Sequence, residues 1–272
     1  MHRPVRSTRR TLAFAAVLLS PLIASAQSSE QWQYTATING YLPTIGGKSK
    51  FPVDSSGSSV NLDAETILEN LKFTFMGSLD IHNGRWGGFT DVLYLDLGGR
   101  KSQSRDFTIG DTGIPAGTTA DLDYDLKGFV WTLAGEYRLE SAPDLKMDAL
   151  LGARYFALKP KLGYSITGNL GPISSAGRSG SAEIDEDVWD AIIGVKGRYT
   201  FGESRKWSVP FYLDVGTGQS DLTWQAAVGV GYAFQWGEVS ALWRYLDYKF
   251  KSSSKIEDMN FNGPQIGLTF RW

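Results

Sequence analysis

The stretch QIGLTFRW, residues 265–272, decides the fold. Ile266, Leu268, Phe270 and Trp272 share one parity, and Gln265, Gly267, Thr269 and Arg271 share the other. Successive side chains of a strand point to opposite faces, so this segment has one apolar and one polar face. Terminal residues are ordinarily polar and frayed. An alternating run that reaches Trp272 is expected to be held in a sheet.

The same period recurs upstream. In QWQYTATINGYL (31–42), Trp32, Tyr34, Ala36, Ile38 and Leu42 alternate with Gln33, Thr35, Thr37, Asn39 and Tyr41. In LKFTFMGSLDIH (71–82), Leu71, Phe73, Phe75, Leu79 and Ile81 alternate with Lys72, Thr74, Ser78, Asp80 and His82, and the hairpin dipeptide Asn83-Gly84 follows. Further strands are read at 85–97, 122–139, 146–159, 188–201, 207–216, 222–235, 238–250 and 260–272, about ten in all, with 8 or 12 as alternatives. Alternation is clear at 188–201. At 85–97 and 122–139 apolar residues occupy both parities, which a bulge or a mixed interior would explain.

Composition bounds the class. The chain of 272 residues has 9 Trp, 12 Tyr, 14 Phe and 31 Gly, and no cysteine, so disulfide and thiol chemistry are excluded. Residues 1–26 open with four arginines and no acid, continue through a short apolar stretch, TLAFAAVLLSPLI, and end in ASA. That order is expected of a secretory signal peptide. The 27 basic residues less those four leave 23 against 29 acids, a balance that argues against a nucleic-acid partner. Residues 27–272 hold no apolar run near the roughly 20 residues of a membrane-spanning helix.

Connections separate the remaining options. Short ones fall at 83–84, 140–145, 202–206 and 235–237, and longer ones at 43–70, 98–121, 160–187 and 251–259, with 217–221 an exception. Short periplasmic turns alternating with long outer loops mark an outer-membrane barrel. Aromatics fall at both strand ends. Trp32, Trp86, Tyr137, Tyr199, Trp207, Phe234 and Trp272 are expected near the periplasmic interface, and Tyr94, Tyr155, Trp189, Trp224 and Tyr245 near the outer one. The fold class is therefore all-β, an up-and-down antiparallel transmembrane barrel in one domain, 27–272, in the outer membrane after export.

LENLKFTFMGSLDIHNGRWGGFTDVLYLDL (68–97) and DVWDAIIGVKGRY (187–199) resemble small OmpA/OmpW-like outer-membrane barrel proteins of proteobacteria. The likeness implies fold and location, with porin-like members, and no particular ligand. The closing octet resembles the signal read by the barrel-assembly machinery, with Gln265, Gly267, Phe270 and Trp272 in its fixed positions. This implies the assembly machinery and outer-membrane lipid as partners of a monomer.

Charges on the polar parity are the candidate lumen lining: Lys72, Asp80, Asp91, Glu136, Arg138, Asp148, Arg154, Asp190, Lys196, Arg198, Asp214, Arg244 and Arg271. They either line a polar channel or pair to fill a narrow lumen, and aqueous channels are typical of about 16 strands, which favours pairing. Within LDAETILENL (62–71), Asp63 fits an N-cap, and Ile67, Leu68 and Leu71 fit a helical stripe that plugs the mouth or packs on the rim. His82, beside the Asn83-Gly84 turn, reads as interfacial and far from the outer face where barrel hydrolases work. Asp121, Asp123 and Asp125 read as a solvated strand end or a weak Ca²⁺ site. No catalytic, cofactor or metal motif stands out. The expected role is a non-enzymatic porin-like protein, either a narrow passive channel or a structural envelope protein. The alternatives are a surface adhesin or receptor, and a loop-based hydrolase.

Overall fold

The computed structural model describes residues 31–49, 58–62, 69–109, 114–170, 173–174, 178–183 and 185–272. The expected signal peptide lies outside these residues, as do positions 63–68 of the expected loop helix. Glu69 and Asn70 are helical and lead directly into a strand.

In chain order the strands are β1 (Gln33–Tyr41), β2 (Thr44–Ser49), β3 (Ser58–Leu62), β4 (Leu71–Asn83), β5 (Trp86–Ile109), β6 (Ile114–Ser141) and β7 (Leu145–Leu170). They continue with β8 (Ile173–Ser174), β9 (Arg178–Glu183), β10 (Glu186–Phe201), β11 (Trp207–Gly218), β12 (Leu222–Ala233), β13 (Glu238–Lys249) and β14 (Ile256–Arg271). Ten of them, β1, β4, β5, β6, β7 and β10 to β14, pair antiparallel with their ring neighbours, and β14 returns to β1. The hairpin β2–β3 extends the sheet from β14, and β8 and β9 add to β7.

Closure rests on the terminal octet. Phe270 pairs with Ala36, Leu268 with Ile38 and Ile266 with Gly40. Backbone bonds run both ways between Tyr34 and Trp272, at 2.9 and 3.1 Å, and their rings stack at 5.9 Å. With β1 and β14 paired, the ring has no open edge, the only way a sheet satisfies its backbone in hydrocarbon. Gly267 faces inward, where a Cβ would stand 2.8 Å from both Asn39 Oδ1 and Ser240 Oγ. The Asn83-Gly84 signal makes a tight hairpin. Asn83 pairs with Trp86, and Gly84 has a φ of 61°, at the first central position of a two-residue turn.

The outward face is apolar: Leu151 is 70% exposed, Ile193 61% and Ile266 60%. Two aromatic belts bound it. Near the turns, Trp207, Tyr232, Phe234, Trp236 and Phe270 touch in succession, and near the loops Trp131, Tyr155 and Trp189 do the same. On β12 the belts are marked by Trp224 and Tyr232. Eight residues of strand span about 27 Å, or a little over 20 Å once tilted, the height of an apolar membrane band.

Two of the expected long loops, 98–121 and 160–187, are largely strand. β5 and β6 stay paired from Trp86 with Tyr137 as far as Ile109 with Ile114, and β7 runs to Leu170. Beyond the membrane neither face of the hairpin meets lipid, so the apolar–polar contrast fades while the backbone ladder continues. The mixed parity of 85–97 reflects a mixed interior. The β5–β6 ladder runs there without a register shift, and Leu93, Leu95 and Leu97 point inward.

Candidate functional site

The interior is built in two tiers. Toward the loops it is apolar: Leu93, Val130, Phe156, Leu246, Tyr248 and Phe261 belong to one buried cluster, which Ile45 of β2 completes from above. Phe156 on β7 meets Tyr248 on β13 at 4.5 Å and Phe261 on β14 at 6.4 Å, contacts that cross the barrel. The mouth is thus filled by strand side chains and Ile45.

Below lies the charged tier, in which twelve of the thirteen expected charges converge. Arg154 is fully buried and ion-pairs with Asp214, while donating to Thr132 Oγ1 at 3.1 Å and Thr223 Oγ1 at 3.3 Å. The Tyr212 hydroxyl donates to Asp214 at 2.5 Å. Arg244 on β13 reaches across to Asp91 on β5 at 2.8 Å and donates to Gln225 at 2.8 Å. Asp190 accepts from the backbone N–H and the hydroxyl of Ser220, both at 2.8 Å, and so ties down the short outer connection after β11. Inside a low-dielectric wall, lone charges cost far more than pairs, which is why Arg154 and Arg244 each meet a carboxylate of another strand.

Nearer the turns, Lys196 bridges Asp80 and Glu136 (2.7 Å to the latter) and lies over the Phe89 ring at 4.1 Å. Arg138 pairs with Asp148 at 2.5 Å. Glu238 holds Arg198 at 2.5 Å and Arg271 at 3.3 Å, Arg271 being the most exposed of the set. A cavity of about 550 Å³ opens here, lined by Asp148, Lys146, Arg198 and Arg271 toward the rim and by Asp91 and Arg244 at its floor.

Lys72 is the exception. The β4–β5 ladder shifts register between Leu71 and Phe73, which turns Lys72 to the outer surface, where it donates to Asp125 at 2.6 Å. That pair also occupies one carboxylate of the aspartate run. Asp123 is exposed, and the side chain of Asp121 is outside the described set. His82 is corrected too: it is 5% exposed and points into the lumen, not toward the interface. Glu238, Gln225 and Tyr212 were missed as lumen groups. Their parity was available: Glu238 lies six residues from Arg244 and Tyr212 two from Asp214 on their own strands, and Gln225 pairs directly with Asp214 across the hairpin.

No family model and no curated protein matches this chain. Among solved structures it is similar to the outer-membrane protease OmpT of Escherichia coli, at TM-score 0.50 and 11% identity, over 91% of this chain and 99% of that one. The attachment invasion locus protein Ail of Yersinia pestis follows at TM-score 0.32 and 13% identity, over 89% and 99%. The translocator domain of the autotransporter NalP of Neisseria meningitidis stands at 0.35 and 16%, over 91% and 90%. The chain has the fold of bacterial outer-membrane β-barrels.

Proposed function

We propose that this is a non-enzymatic outer-membrane protein whose barrel is closed to solutes, a structural envelope protein in a porin-like shell. One observation carries the reading: side chains meet across the lumen in both tiers, through Phe156–Tyr248 in the apolar tier and Arg244–Asp91 in the charged one, while Arg154–Asp214 fills the side of the lumen between β7 and β11. Passage of a solute would require breaking buried ion pairs and an apolar contact together. Planar-bilayer recording of the refolded protein tests this. We expect no defined single-channel steps, and regular steps from the wild type would overturn the closed reading in favour of a narrow pore. A surface-binding role is the second reading. It is favoured by the β5–β6–β7 sheet, whose ladders continue past the outer belt.

The terminal octet supports delivery by the barrel-assembly machinery. Phe270 and Trp272 have outward rings, and Trp272 also fastens to Tyr34. Their structural worth is limited, because ring contacts of this kind are each worth about 0.5–1.5 kcal/mol. Changing Phe270 and Trp272 to Ala is therefore expected to lower outer-membrane levels severalfold in cells while leaving refolding in detergent nearly intact. Equal cellular levels of heat-modifiable protein would remove the assembly role.

A further inference from the structure

We propose that His82, Glu136 and Asp148 form a divalent transition-metal site, of the zinc type, at the turn end of the lumen. The inference does not depend on whether the barrel conducts. His82 Nε2 lies 3.3 Å from Glu136 Oε2 and 3.4 Å from Asp148 Oδ1. An ion held about 2.1 Å from each of its ligands in a tetrahedral shell sets those ligands roughly 3.4 Å apart, so each carboxylate stands at a suitable distance from Nε2. Asp80 is a further acid within reach, since one ligand atom each of Asp80, His82 and Glu136 lies within 4.8 Å of the others. One nitrogen and two carboxylate oxygens are donors that Zn²⁺ accepts.

A second observation points to a ligand. The side chains of His82 and Glu136 are 6% and 0% exposed. Yet His82 Nε2 and both Glu136 oxygens lack a hydrogen bond of regular geometry, although Lys196 is in ionic contact with Oε1. Buried polar atoms are ordinarily satisfied, so the two atoms left without such a contact, His82 Nε2 and Glu136 Oε2, call for a partner. On the other side of the ring, Nδ1 faces Asp80 Oδ1 at 3.7 Å. A carboxylate behind a metal-binding imidazole is the usual orienting arrangement. Gly87 makes room for the ring, since a Cβ there would stand 2.7 Å from Nε2. Asp80, His82 and Asp148 all border the cavity, which supplies an entry path and room for a water as fourth ligand.

Charge is consistent with a cation. With a neutral imidazole, Asp80, Glu136 and Asp148 outnumber Lys196 and Arg138, the cations paired with them. The competing occupant is a proton held within the cluster, which would balance it by itself. The two are distinguished by Zn²⁺ titration of the chelator-treated, refolded protein against a chromophoric competitor. One equivalent is expected, with at least a tenfold loss of affinity in both His82→Asn and Glu136→Gln and a loss of roughly 10–100-fold in Asp80→Asn. Co²⁺ in place of Zn²⁺ is expected to give the intense visible bands of a four-coordinate site. A readout without substitution guards against misfolded variants. His82 is the sole histidine of residues 27–272, so bound Zn²⁺ is expected to protect it from acylation by diethylpyrocarbonate. No saturable uptake by the wild type, unchanged affinity in His82→Asn, or acylation indifferent to Zn²⁺ would each overturn the site in favour of the proton.

Discussion

Replacing Arg154 by Met is expected to destabilise the barrel by about 3–5 kcal/mol, because it leaves a buried carboxylate without its cation. Asp214 has a fully buried side chain, and its remaining hydrogen-bond donor is the Tyr212 hydroxyl. At roughly 1.4 kcal/mol per tenfold, the folded-to-unfolded ratio falls by a hundredfold to several thousandfold. Equilibrium urea unfolding of the protein in lipid vesicles, followed by tryptophan fluorescence, reads the loss directly. Arg154→Met with Asp214→Asn removes the charge while keeping an oxygen acceptor for Tyr212, and most of the stability is expected to return. That recovery separates the cost of an orphaned charge from loss of packing by the long Arg side chain. Added salt should change little, because the pair is shielded from solvent, whereas exposed pairs such as Lys159–Asp185 respond. A single-variant loss under about 1 kcal/mol would show that water reaches Asp214 and that the pair is no lumen brace.

The strand plan was legible because the membrane imposes a severe rule on every spanning residue. Ile266, Leu268 and Phe270 had to face lipid, and one such strand fixes the phase of its neighbours through pairing. The charges followed from the same parity. Lys72 did not, because a one-residue register shift reverses a side chain and leaves no mark in the alternation. His82 shares the parity of Asp80, yet its place beside a turn suggested an interface. Its burial depends on Gly87 of the next strand, a contact that no single-strand pattern contains. The apolar tier was the largest omission. Leu93, Leu95 and Leu97 blurred the alternation of β5, and inward grease looks like noise when the interior is assumed polar. Only the closed ring shows that Phe156, Tyr248 and Phe261, from well-separated parts of the chain, meet in one place.

Two blocks in series make a specific electrical expectation. Phe156 is fully buried among Tyr248, Phe250 and Phe261, so Phe156→Ala is expected to cost about 3–5 kcal/mol and to open a gap in the apolar tier. Current should nevertheless stay at baseline, since the Arg244–Asp91 bridge still crosses below, and a conduit in series is limited by its narrowest section. Removing that bridge alone, by Arg244→Ala with Asp91→Ala, leaves the apolar tier closed and should be equally silent. With all three changes the lumen loses a ring at the upper level and a cross-lumen ion pair at the lower one. Defined steps are then expected in planar bilayers, provided heat-modifiability shows the variant folded. Steps from Phe156→Ala alone would mean that the charged tier already passes ions and that the apolar tier is the sole gate. Silence of the folded triple variant would place a further block at Arg154–Asp214, the remaining bridge, and would strengthen the assignment of this barrel as a closed one.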